Sequence, residues 1–279
     1  MITGTIHFRG IARHSLFALW FVYAVSMILL VIFVQLAKIW PANPLFTFTS
    51  AVFFLFSFAH ALMCLGLRRG IGLFALVFSI SLAFETINLL SGGLVFGPLL
   101  YTHKLGLKLF GLVPILIPLT WFTVGYLSFR IAGRLVGERP GNARARLRLA
   151  AIAALIMVAW DLGLDPAMVA KGHWLWLVPG SYFGIPLHNF VGWWLTAFSF
   201  CYIFLLLEPT GIDSGFQPAR GTANLLASSA YGIMCISMTI ANADMGKTGP
   251  AIIGFLTMGS FGVYWLRDSW RLRHSHISP

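Results

Sequence analysis

The chain has 279 residues, of which 58% are hydrophobic and 15% aromatic, while only 10% are charged. A soluble domain carries about 25% charged residues, so this composition, with a mean hydropathy of +0.85, excludes a water-soluble globule and predicts an integral membrane protein. A net charge of +11 raises nucleic-acid binding as a role, and the placement of the basic residues then argues against it.

A membrane-crossing helix needs about 20 mostly apolar residues, and eight such runs are predicted in chain order, forming one transmembrane domain over 1–279. The first, Ser15–Ala37, follows Arg9 and Arg13 as a secretory signal would, but the run is too long and no small-residue cleavage site follows it. The second, Leu45–Leu67, holds His60 alone, which suits a helix-to-helix hydrogen bond better than a ligand. The third, Ile71–Leu90, carries Glu85 and leads into the loop SGGLVFGPLLYTHKLGLK. The fourth, Leu109–Phe129, opens on prolines and contains Trp121. The fifth, Leu149–Ala170, carries Asp161 and Asp165 just before Pro166 and leads into KGHWLWLVPGSYFGIPLHNF. The sixth, Pro186–Leu207, starts with His188, Asn189, Trp193 and Trp194, and the last two are Ala223–Asn242 and Pro250–Leu266. Cys64, Cys201 and Cys235 are far apart in apolar stretches, as small buried residues are, and suggest neither a disulfide framework nor a zinc cluster.

Eight spans place both termini on one side. The 14 arginines then fall on that side and the five lysines (Lys38, Lys104, Lys108, Lys171 and Lys247) on the other. This asymmetry predicts cytoplasmic termini in the cell membrane. The Arg139–Arg148 cluster contains no aromatic residue, unlike a nucleic-acid surface.

Of the eight acids, Glu138, Glu208, Asp213 and Asp268 fall in or beside cytoplasmic segments and read as solvated. Glu85, Asp161, Asp165 and Asp244 lie within spans or at their outward ends, where a carboxylate in hydrocarbon costs about 2.5–3.5 kcal/mol on insertion scales. Their shared depth predicts convergence on one site. Asp161 and Asp165 are one helical turn apart, and two neighbouring carboxyls in low dielectric do not both ionise easily, so one is expected to keep its proton and act as an acid. The alternative is that Asp165 caps a helix break at Pro166 while Asp161 bonds a neighbouring helix, and Asp244 beside Asn242 and Lys247 reads as a span-end residue. The glycines, prolines and aromatics of the two outward loops suggest re-entrant backbone lining a pocket, or else an interfacial aromatic belt. A weak echo relates the third span and its loop to the fifth, and because the spans are parallel the relation is expected to be translation-like.

The segments ETINLLSGGLVFGPLLYTHKLGLKLFGLVPILIPLTW and WDLGLDPAMVAKGHWLWLVPGSYFGIPLHNFVGWW resemble the signature segments of the integral-membrane carotenoid biosynthesis protein family, the second being the more specific. The resemblance covers roughly residues 50–207. Characterised members of that family are carotenoid 1,2-hydratases of the bisanhydrobacterioruberin hydratase and gamma-carotene hydratase type. In the first segment this chain has Ser91-Gly92 and Phe96-Gly97-Pro98, with Tyr101 later, where the family has a Thr-Gly-x-x-x-Gly-x-Tyr element. The resemblance implies addition of water across a terminal double bond of an acyclic carotenoid end group, a lyase reaction with no cofactor or metal. Glu85, Asp161 and Asp165 are then the expected acids. Trp121, Trp193 and Trp194, with Tyr101 and Tyr182, would border the cationic intermediate, and Asn189, His188 or the remaining carboxylate would hold the water. Expected partners are a lipophilic carotenoid and membrane lipids, with no nucleic acid. The residues also leave open a carotenoid or terpenoid cyclase or isomerase sharing the protonation step, a proton-coupled transporter and a carotenoid-binding protein. A diphosphate-dependent prenyltransferase would need a second acidic motif and arginines on the same side.

Overall fold

The computed structural model describes residues 2–38, 42–136, 142–208 and 222–274. Glu138, Arg139, Asp213 and Arg220 lie outside the described residues. Eight α-helices are described: α1 (Ile2–Leu29, continued by a π-helical segment Leu30–Leu36), α2 (Ala42–Leu65), α3 (Leu67–Leu90), α4 (Leu116–Val136), α5 (Ala143–Ala170), α6 (Leu187–Leu207), α7 (Thr222–Asp244) and α8 (Thr248–His274). Seven are long and apolar enough to cross a membrane. The chain is an integral membrane protein built as a helix bundle.

The remaining helix, α4, stands in the middle of the bundle. Every residue from Trp121 to Gly133 on it is buried, and it packs against α2, α3, α5 and α8. A helix sheathed by protein has no lipid to satisfy, so α4 tolerates Thr123, Ser128 and Arg130 in its buried length. Its start differs from the predicted Leu109. Lys108–Leu109 (β2) and Val113–Pro114 (β3) form a small hairpin whose turn residues Phe110 and Gly111 both have positive φ, 52° and 71°. The apolar run passes through this turn, so hydrophobicity alone could not locate it. Arg130 and Arg134 consequently belong to the helix instead of to the loop beyond it.

Pro166 does not end α5, which continues to Ala170. Proline removes the N–H that would bond the carbonyl four residues back, here Leu162, and that carbonyl accepts a hydrogen bond from Tyr182 Oη at 2.9 Å. The neighbouring Gly163 carbonyl accepts from Asn242 Nδ2 at 2.8 Å. A side chain from another segment thus fills the proline gap, and the helix keeps its register past both aspartates. Gly163 also faces Gly254 where α5 crosses α8, the close approach that small residues allow between membrane helices.

The two loops expected to face outward meet. Leu99–Tyr101 (β1) pairs antiparallel with Trp174–Trp176 (β4), with Leu99 opposite Trp176, Leu100 opposite Leu175 and Tyr101 opposite Trp174. Beneath this ribbon α3 and α5 each pack on both α4 and α6. The antiparallel ribbon thus joins the loops that follow the third and fifth spans.

Candidate functional site

Under the ribbon lies a cavity lined by Glu85, Asp161, Asp165 and Asn189 among aromatic and aliphatic side chains. Each acid is fixed from several elements. Glu85 on α3 receives Tyr101 Oη from β1 at 2.8 Å and Trp121 Nε1 from α4 at 3.0 Å, one donor on each carboxyl oxygen. Asp165 on α5 receives Trp174 Nε1 at 2.7 Å and Trp176 Nε1 at 3.2 Å from β4, both on Oδ1. Its Oδ2 accepts one N–H of the Asn189 amide at 3.0 Å, and the same amide group donates to Asp161 Oδ2. Trp174 and Trp176 can share one acceptor because alternate strand residues project from the same face. The Trp121 and Trp193 rings stack with centroids 4.2 Å apart and both border the cavity.

All three carboxyls are nearly or fully withdrawn from solvent, and desolvated carboxyl groups persist only with hydrogen-bond partners. Five of the six carboxyl oxygens have such partners. The sixth, Asp161 Oδ1, is buried and receives no donor among the described residues.

The expected site residues separate. Glu85, Asp161, Asp165, Tyr101, Trp121, Asn189 and Trp193 all line the cavity. Tyr182, His188 and Trp194 are absent from its lining. Tyr182 is spent on the Leu162 carbonyl, His188 is exposed at the start of α6, and Trp194 stacks along α6 on Phe198, 4.9 Å away, on the next turn of its own helix. Consecutive helical residues diverge by about 100°, so Trp193 and Trp194 could not both face one cavity. Asp244 pairs with Lys38 Nζ at 3.5 Å, away from the acids. His60 links three helices, bonding Tyr126 Oη at 2.6 Å and the Ala223 carbonyl at 3.1 Å.

Several contributors were not singled out from sequence. Trp174 and Trp176 belong to the loop aromatics expected to line a pocket or else form an interfacial belt, and it is their i, i+2 spacing that gives them a shared target. Ser50 and Phe46 from α2, and Thr120 from α4, also line the cavity, on helices whose sequence carries no acid. Asn88 holds the first loop in place: its amide donates to the Gly97 carbonyl at 3.0 Å and its Oδ1 accepts the backbone N–H groups of Val95 and Phe96.

The lysines act as backbone clamps at this end. Lys104 Nζ donates to the Lys171 carbonyl at 2.7 Å and Lys108 Nζ to the Tyr101 carbonyl at 2.8 Å. His173, buried against Phe46 with centroids 4.8 Å apart, is pulled down to about 4 by burial and by the charges of Lys171 and Lys104. Among the described residues no group of three or more His, Cys, Asp or Glu is arranged to hold a metal ion.

Fold and site together define a membrane-embedded protein whose acids converge in an aromatic chamber. The family described as carotenoid biosynthesis protein matches residues 43–261, and the chain belongs to that family. It is 32% identical over 146 residues to the bisanhydrobacterioruberin hydratase of Haloarcula japonica, a stretch covering 52% of this chain and 46% of that protein. The chain thus spans about half the length of this curated relative. No solved structure matches it.

Proposed function

We propose that the protein is a carotenoid hydratase, adding water to the terminal 1,2 double bond of an acyclic carotenoid end group. The observation that carries this reading is the Asp161–Asn189–Asp165 cluster in the same cavity as the Trp121–Trp193 stack. The hydratase relative supports it. An isolated trisubstituted alkene is a weak base, so its protonation requires an acid held dry and close. The π pair of the alkene takes the proton of a carboxyl O–H, forming a C–H bond and leaving a tertiary cation. Stacked indole π-systems beside that cation stabilise it through their negative faces. A water oxygen then forms the C–O bond and returns one proton to the carboxylate, so the acid is regenerated. Carbon is neither oxidised nor reduced overall, and no electron acceptor enters the balance. Ser50 and Thr120 supply hydroxyls in the same lining where water can be held.

The test is expression in a host that accumulates lycopene and related acyclic carotenoids, with pigments analysed by mass. Hydration adds one water per modified end, and in heavy water the product carries deuterium on the carbon next to the one bearing oxygen. A cyclic product of unchanged mass would identify a cyclase. An alcohol whose oxygen comes from dioxygen would exclude the acid-first reaction.

A further inference from the structure

We infer that Asp161 is the proton donor, acting through Oδ1, and that Asp165 is a positioning residue held by hydrogen bonds that leave it no part in proton delivery. This inference rests on the hydratase reading and divides the work of its acid pair. A carboxyl oxygen offers about two acceptor sites, and Asp165 Oδ1 already takes two indole N–H groups, from Trp174 and Trp176. Its Oδ2 takes one N–H of Asn189. A proton on Asp165 has only the second site of Oδ2 to occupy, beside the Asn189 N–H, because Oδ1 is filled. Glu85 likewise has a donor on each oxygen, Tyr101 Oη on Oε2 and Trp121 Nε1 on Oε1. In Asp161 only Oδ2 is engaged, by Asn189, and Oδ1 has no donor among the described residues while the side chain lines the cavity. A carboxylic acid places its O–H on one oxygen and accepts through the other, and Asp161 is the acid whose surroundings match that division.

Asn189 makes the assignment directional. Its two N–H groups go to Oδ2 of Asp161 and Oδ2 of Asp165, so the amide has no N–H left for a third partner and fixes which edge of each carboxyl faces the other. The Asp161 hydrogen is thereby left on the oxygen away from the clamp.

The experiment compares wild type, Asp161→Asn, Asp165→Asn and Asp161→Glu in the acyclic-carotenoid host, reading alcohol formed and pigment retained by the purified protein. Asp161→Asn keeps an oxygen for the Asn189 amide and is expected to lower hydration by about a hundred to ten thousandfold while the protein still retains its carotenoid. Asp165→Asn is expected to lose at least tenfold less. Asp161→Glu keeps the acid but displaces it by a methylene, and should recover part of the turnover without changing pigment retention. If Asp161→Asn does not fold, the Asp161→Glu variant carries the test, and turnover unchanged by that displacement counts against the assignment. Asp161→Asn activity within tenfold of wild type, or an Asp165→Asn loss as large, overturns the assignment alone. Wild-type protein that forms no alcohol overturns the hydratase reading and the assignment together.

Discussion

Glu85 shows how a single carboxyl is accommodated in this fold. With Tyr101 Oη on one oxygen and Trp121 Nε1 on the other, Glu85→Gln forces one donor to meet an N–H. A buried group left unsatisfied costs about 1–3 kcal/mol, so the variant is expected to melt lower in detergent and to form much less alcohol. Tyr182 is a milder case. Tyr182→Phe strips the cap from the Leu162 carbonyl and should cost about 1 kcal/mol, with carotenoid retention intact, as measured by thermal unfolding. At this scale the sequence revealed the acids, because a carboxyl in hydrocarbon is too costly to be incidental. It did not reveal Asn88, and it left the two loop tryptophans between a pocket lining and an interfacial belt. An indole N–H at a span end satisfies a lipid headgroup as readily as a buried carboxylate, and only the backbone path of β4 decides between them.

The ribbon of β1 and β4 joins the two loops, and two groups adjust how firmly it sits. Gly192 on α6 lies against the Val95 carbonyl and the Phe96 ring. A methyl group there would push the first loop off α6, so Gly192→Ala should reduce alcohol formation while the helices remain assembled, which circular dichroism together with product analysis would register. His173 supplies a pH dependence. Its folded value of about 4 is below its ordinary 6.5, so the unfolded chain binds more protons in that window and stability falls as pH drops from about 6.5 towards 4. His173→Phe keeps a ring against Phe46 and should flatten the fall, measured as melting temperature against pH. Helix positions were legible from the apolar runs, whereas the start of α4 was not, since a three-residue loop, Phe110 to Leu112, scarcely alters hydrophobicity. Nor could the sequence tell that Pro166 would be bridged, because the repairing group, Tyr182, comes from another segment.

Across the whole molecule, charge and burial divide the two ends of the bundle. The ribbon end carries the lysine clamps, and the other end carries Arg69 paired with Glu208 at 3.0 Å. Reporter fusions in the 138–145 loop and at Lys171 are expected to report opposite sides, the former cytoplasmic; a shared side would refute the orientation. The hydrogen-bond distances along the chain also bear on how the protein is made. Glu85 meets its partners 16 and 36 residues later. Asp165 meets its own 9, 11 and 24 residues later, and Asp161 meets Asn189 after 28. As the nascent chain enters the bilayer, each acid therefore finds its hydrogen-bond donors in segments synthesised soon after it. The β1–β4 ribbon and the Trp121–Trp193 stack join these two stretches. The costly groups are sheltered during biogenesis, and the reacting chamber comes into being when the later half docks on the earlier one.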